Sequence, residues 1–336
     1  MYIAIQCCIK IANLHCSIFM ETVYQQRMRP ASQLALLLGL CGAGIILGSI
    51  ITVIVAEAML HVPLINLEQA MMSPQNADAS RVFQLVGTFF MIALPALVFS
   101  FIVNRKPFSW LGFNTSINFK QTVLVLLIVF AGLLASDLFA EINKWIPISK
   151  NLAEYFQHLE DEYDKQLVAL VNIQTFPDYI ISLFIMALVP AMFEEILFRG
   201  CLQQIMIGLF KKALPGILIT SALFSAFHLS YYGFLPRWFL GILLGYIFYF
   251  SNNIWLSILA HFLNNAIGVT QIYLLTINGK FSQDVINAMD THFAWYYGVA
   301  ALVAVYFFFE VYKKQSEKVL AEKIMQLPND EQNIYS

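Results

Sequence analysis

"YIISLFIMALVPAMFEEILFRG", residues 179–200, carries two adjacent carboxylates and an arginine within a run otherwise dominated by apolar side chains. A helix of that length rises about 33 Å, enough to cross a hydrocarbon core of about 30 Å. A charge near mid-membrane costs at least about 2.5–3.5 kcal/mol, so Glu194, Glu195 and Arg199 must be paired, hydrated or in use. Each helical residue turns about 100°, which puts Glu195 and Arg199, four apart, within about 40° on one face. Glu194 is turned about 100° from Glu195 and about 140° from Arg199, so one arginine does not readily neutralise both carboxylates. The expectation is a structural ion pair, Glu195 with Arg199, and a second carboxylate free to act as a general base.

The rest of the chain has the same character. Of its 336 residues 59% are hydrophobic and 12% charged, where a soluble domain carries about 25% charge; mean hydropathy is +0.69. Repeated apolar runs of about 20 residues exclude a soluble domain and do not resemble the alternating ten-residue segments of an outer-membrane barrel. The fold class is therefore all-α, a polytopic helical membrane protein with about eight transmembrane helices. A net charge of -2 gives no sign of a nucleic-acid partner; with this composition the expected surroundings are membrane lipid. The five cysteines, Cys7, Cys8, Cys16, Cys41 and Cys201, show neither paired nor metal-ligand spacing.

Spans are expected near 34–60, 82–103, 121–140, 179–200, 215–231, 236–251, 254–275 and 295–312. Arg27 and Arg29, Arg105 and Lys106, Lys211 and Lys212, and Lys313 and Lys314 all fall on one face of that layout, which predicts cytoplasmic termini. Residues 1–30 carry Lys10 inside a mildly apolar run and do not read as a cleaved signal peptide. Residues 31–315 read as one transmembrane domain and 316–336 as a cytoplasmic tail. The longest connection, about 141–178, places Leu152, Tyr155, Phe156, Leu159, Tyr163, Leu167, Leu170 and Val171 at spacings of three and four. That pattern predicts an amphipathic helix at the membrane interface, beside an acidic run of Glu160, Asp161, Glu162 and Asp164. Glu57, Asp137, His15 and His158 read as structural or interfacial.

Two later spans carry further chemistry. "FSAFHLS" places Phe224 and His228 four apart, and "LAHFLNN" does the same for His261 and Asn265. Imidazole and carboxamide orient water, bind metal or donate to an oxyanion. Counting about 1.5 Å per residue from the basic ends sets His261 about 10 Å deep but His228 about 20 Å deep, a mismatch that requires uneven helix ends or a tilted helix.

The ordered set E-E-x-x-x-R, F-x-x-x-H and H-x-x-x-N, over roughly 179–270, resembles the CAAX-protease and bacteriocin-processing family, CPBP or Abi, of intramembrane endopeptidases. The resemblance implies a helical membrane enzyme that cleaves peptide bonds of membrane-associated substrates. It implies that Glu194 and His228 activate water, His261 and Asn265 stabilise the oxyanion, Glu195 and Arg199 support the site, and Phe224 packs beside it. Glu194, His228 and His261 are also candidate ligands for a zinc ion, although the chain has no H-E-x-x-H. A metal-free, glutamate-activated water is the leading alternative. Phenylalanine-rich, arginine-poor composition favours a bacterial member in the inner membrane. Two other classes could use such a polar centre: a non-catalytic immunity or scaffold protein, and a proton-coupled transporter, for which no inverted repeat is evident.

Overall fold

The computed structural model describes residues 28–71, 73–113, 117–170, 173–279 and 294–325. The N-terminal segment with His15, most of the 276–294 connection, Val171 and the last residues of the tail lie outside the described residues. Nine principal helices follow in order among the described residues: α1 Pro30–Leu60, α2 Ala77–Val103, α3 Phe119–Lys144, α4 Lys150–Leu170, α5 Phe176–Phe210, α6 Ala213–Ala226, α7 Phe234–Ser251, α8 Ile254–Ile277 and α9 Trp295–Met325. No strand occurs among the described residues. The protein is a polytopic all-α membrane protein. Among the described residues seven helices are long and apolar enough to cross a membrane, and α6, at 14 residues, is too short to count among them. It rises only about 21 Å.

Local chemistry sets the helix ends. Asn118 accepts from the backbone of Lys120 and Gln121 to start α3, and Thr175 forms a capping box with Asp178 ahead of Pro177 to start α5. Two-residue links make the tight reversals. Lys211, left-handed at φ 54°, ends α5, and extended Lys212 opens α6. Asn252, at φ 47°, ends α7, and the Asn253 side chain caps α8. Such short links oblige consecutive helices to run antiparallel as neighbours.

The helices run back and forth, and contacts join their connections at both ends. At one end the Ile254 amide donates to the Gly112 carbonyl, 2.9 Å, joining the α2–α3 connection to the α7–α8 link. At the other end Asn143 donates to the Tyr231 carbonyl, 2.9 Å, and the Tyr231 hydroxyl to the Ile146 carbonyl, 3.3 Å.

Helix α5 is the centre of the bundle. Every residue from Glu195 to Ile207 is buried, packed by α2, α6, α7 and α8. Two wide π turns interrupt it, at Leu183–Leu188 and Ile196–Gln203. The first precedes Pro190, and α2 repeats the arrangement with a π turn at Phe89–Ala93 before Pro95. A proline lacks an N–H and crowds the carbonyl four residues back, and a wide turn at that point relieves both problems. On α6, a Cβ at Gly216 would lie 2.8 Å from the Ile207 backbone nitrogen, so glycine permits the close α5–α6 crossing.

The amphipathic helix exists as α4, although of Glu162, Tyr163, Asp164, Leu167 and Leu170 only the helical backbone is described. Leu152 and Tyr155 are exposed, whereas Phe156, Leu159 and Glu160 are partly covered. The covered edge is thus narrower than the sequence stripe, because α4 docks by one side on the turn between α6 and α7. Phe156 stacks on Tyr231 with ring centres 4.7 Å apart, and Glu160 accepts from the Ser230 hydroxyl at 2.6 Å.

Candidate active site

Three helices bring the motif residues together around Phe224. Its ring, on α6, lies 5.0 Å from the His228 ring and 5.6 Å from the His261 ring of α8, with the Arg199 guanidinium of α5 4.7 Å from its centre. Phe224 is buried, so it forms a shared apolar wall for three polar groups and holds Arg199 by a cation–π contact.

Glu195 and Arg199 form the ion pair that the helical angles predict, Nη1 to Oε1 at 2.8 Å, with both side chains fully buried. The second π turn begins just after Glu195, and the wider turn still sets the arginine over the carboxylate. Arg199 also donates through Nη2 to the Gly241 carbonyl of α7 at 3.0 Å. One turn on, Gln203 donates to the Gly245 carbonyl, also at 3.0 Å. These two donors, four residues apart, meet two carbonyls four residues apart and fix α5 against α7.

The same Glu195 Oε1 lies 2.9 Å from His261 Nδ1. A carboxylate oxygen already receiving an arginine N–H accepts here too, so His261 donates from Nδ1. Its Nε2 faces Glu194 Oε2 at 3.8 Å. Glu194 therefore stands at the far side of an ordered chain of Arg199, Glu195 and His261, and its Oε2 is buried without a hydrogen-bond partner. Its side chain retains 16% exposure, against none for Glu195. Two adjacent glutamates thus occupy different environments: one is locked in an ion pair, the other is partly exposed and has a carboxylate oxygen without a partner.

His228 lies differently from the sequence expectation. Helix α6 stops at Ala226, and His228 sits on the turn beyond it, followed by Leu229 at φ 54°. Its Nδ1 meets the Phe224 carbonyl at 2.9 Å. A carbonyl only accepts, so Nδ1 carries the proton and, in the neutral ring, Nε2 keeps a free lone pair. The depth mismatch has a simple cause. Helix α5 continues to Phe210, past the level where Gly200 packs against Leu111 and Ile254, so the helix ends are not flush. Asn265, one turn beyond His261, donates to the Ala187 carbonyl at 3.5 Å and accepts from Asn264 at 3.1 Å. It has no direct contact with the glutamates among the hydrogen bonds of the described residues.

Among the described residues no three His, Cys, Asp or Glu side chains are grouped to hold a metal ion. Nδ1 of His228 is held by a backbone carbonyl and Nδ1 of His261 by Glu195, so Nε2 is the atom that each ring can offer to water or to a ligand.

Residues 176–267 match the family model Rce1-like, the type II CAAX prenyl endopeptidases. This is the CAAX-protease family that the three motifs resemble. The match starts with α5 and ends two residues after Asn265, so it spans all seven motif residues. It supports a CAAX-protease-like intramembrane endopeptidase acting on a peptide substrate within a lipid environment. No curated protein and no solved structure gives a significant match to the chain.

Two features of this region escape the motif reading. Gln203 is four residues after Arg199 on the same helix, a spacing that does signal a shared face. Arg237 stands at the edge of an expected span, where an arginine reads as an ordinary interfacial anchor.

Proposed function

We propose that the protein hydrolyses peptide bonds of membrane-associated peptides or proteins by metal-free activation of water, with Glu194 as general base. The observation that carries this reading is the environment of Glu194, a buried carboxylate oxygen without a hydrogen-bond partner beside a fixed Arg199–Glu195–His261 chain. A carboxylate held near a cation but not consumed by it can take a proton from water as the water attacks. His228, through the free lone pair on Nε2, accepts the second water hydrogen and orients the attack.

The tetrahedral intermediate needs a donor for its oxyanion. His261 donates Nδ1–H to Glu195, so it can donate from Nε2 only as imidazolium. Nε2–H then donates to the oxyanion, and Asn265 supplies its amide as the second donor. Glu194 returns its proton to the leaving nitrogen as the C–N bond breaks. Glu195, Arg199 and Phe224 keep the imidazole in place.

In this reading a single transmembrane domain over 31–315 carries a catalytic core at 179–270, set in a bacterial inner membrane with cytoplasmic termini. The test is cleavage of a membrane-anchored peptide in liposomes by wild type, Glu194→Gln and His228→Ala. Each substitution is expected to lower kcat by about 100- to 10,000-fold. Equal cleavage by all three proteins would overturn the proposal.

A further inference from the structure

Arg237 is a cation without an anion. It lies in the first turn of α7, half-buried, and its guanidinium folds back over Gly233, where an added Cβ would come within 2.5 Å of Nη2. Nη1 is buried and has no hydrogen-bond partner. Among the described residues no carboxylate pairs with it, whereas Arg81 and Arg199 each have one. Arginine stays charged at any pH a protein survives, so it cannot escape its cost by losing a proton. A buried guanidinium nitrogen without a partner is retained where water or a ligand completes it.

Its position narrows the choice of ligand. Arg237 packs on Gly233, at the end of the turn that carries His228, one of the two groups assigned to water activation. The turn it packs against is the one that carries His228 and that α4 covers through Phe156 and Glu160. An anion bound by Arg237 therefore shares one space with the scissile bond. The guanidinium is a planar fork that takes a carboxylate through two parallel N–H donors.

We propose that Arg237 binds a carboxylate of the peptide substrate and so sets where the chain is cut. The inference rests on the endopeptidase reading and adds a substrate feature to it: an anionic group a short distance along the peptide from the bond that Glu194 and His228 attack. The carboxylate belongs either to the peptide's C-terminus or to an acidic side chain. Arg237 is a specificity residue in this scheme and takes no part in proton transfer.

The experiment is a steady-state cycle in liposomes, with wild type, Arg237→Gln and Arg237→Lys acting on three membrane-anchored peptides of one sequence. One peptide ends in a free acid, one in an amide, and one in an amide with an Asp or Glu moved near the cleaved bond. For a carboxylate read by Arg237, loss of either partner raises KM by about 10- to 100-fold with a smaller effect on kcat. In Arg237→Gln the acid and amide peptides become equal, and Arg237→Lys recovers part of the discrimination. If the C-terminus supplies the group, only the free acid benefits from Arg237; if a side chain does, the third peptide recovers what amidation lost. The inference is overturned if wild type cleaves all three peptides with the same KM, or if Arg237→Gln lowers kcat equally on all of them. Absence of any Glu194-dependent cleavage would instead remove the endopeptidase reading.

Discussion

Replacing Glu195 with leucine should destabilise the protein more than replacing Arg199 with methionine, and the double replacement should cost less than the two combined. Both side chains are fully buried, and their closest atoms are 2.8 Å apart. At an effective dielectric of about 20, two unit charges at that separation attract by about 6 kcal/mol, most of it offset by the loss of hydration. Breaking a buried pair from one side costs about 3–5 kcal/mol, because the remaining charge is stranded. The two stranded charges are not equivalent. Without Glu195, the guanidinium keeps the Gly241 carbonyl at 3.0 Å and the Phe224 ring at 4.7 Å, and cannot discharge. Without Arg199, Glu195 keeps His261 Nδ1 at 2.9 Å and can take up a proton. The Glu195 variant therefore falls near the upper end of that range and the Arg199 variant near the lower. The double variant should recover at least about 2 kcal/mol relative to the summed singles. Reversible unfolding in mixed micelles, followed by tryptophan fluorescence, measures all four corners of the cycle. Additive losses would refute the reasoning, as would a larger loss for Arg199→Met.

Three further outcomes follow from the packing. Gly216→Ala drives a methyl group to within 3.0 Å of the Ile207 backbone, so it should lower stability by about 1–3 kcal/mol or more in the same unfolding assay, whereas a change at open Gly39 should not. Thr175→Ala removes the capping box at the start of α5 and should cost about 1 kcal/mol, visible as faster hydrogen exchange in the first turn of α5. Phe156→Ala with Glu160→Ala removes the ring stack and the Ser230 hydrogen bond that hold α4 on the α6–α7 turn. Amides of α4 should then exchange faster, and KM for a bulky peptide should change more than KM for a short one; unchanged exchange would show that these two contacts do not secure the helix.

The membrane class and the order of the helices were legible in composition and apolar run length, because a hydrocarbon core imposes a length on any segment that crosses it. The helix stop and start at Asn252–Asn253 also follow from local residue chemistry, whereas α5 runs on to Phe210, past the expected end at 200. The Glu195–Arg199 pair is readable from spacing alone, since the helix brings positions four apart onto one face. Helical spacing does not say which neighbour a face meets. His261 could be assigned to oxyanion binding from its motif, but its Nδ1 bond to Glu195 depends on α8 crossing α5 at that height. His228 reads as an intrahelical residue, yet the chain leaves the helix at Ala226 and the imidazole takes up the Phe224 carbonyl.

The two adjacent glutamates show the division most plainly. Their helical angles already separate a paired carboxylate from an unpaired one, because those angles are a property of the backbone. What surrounds the unpaired one depends on distant segments of the chain: His261 from α8 is set beside Glu194, and Phe224 from α6 beside His261, only by the packing of α5 within the bundle. Long-range side-chain neighbours of this kind leave no periodic signature in a sequence, since nothing local to Glu194 specifies which helices will be placed beside it.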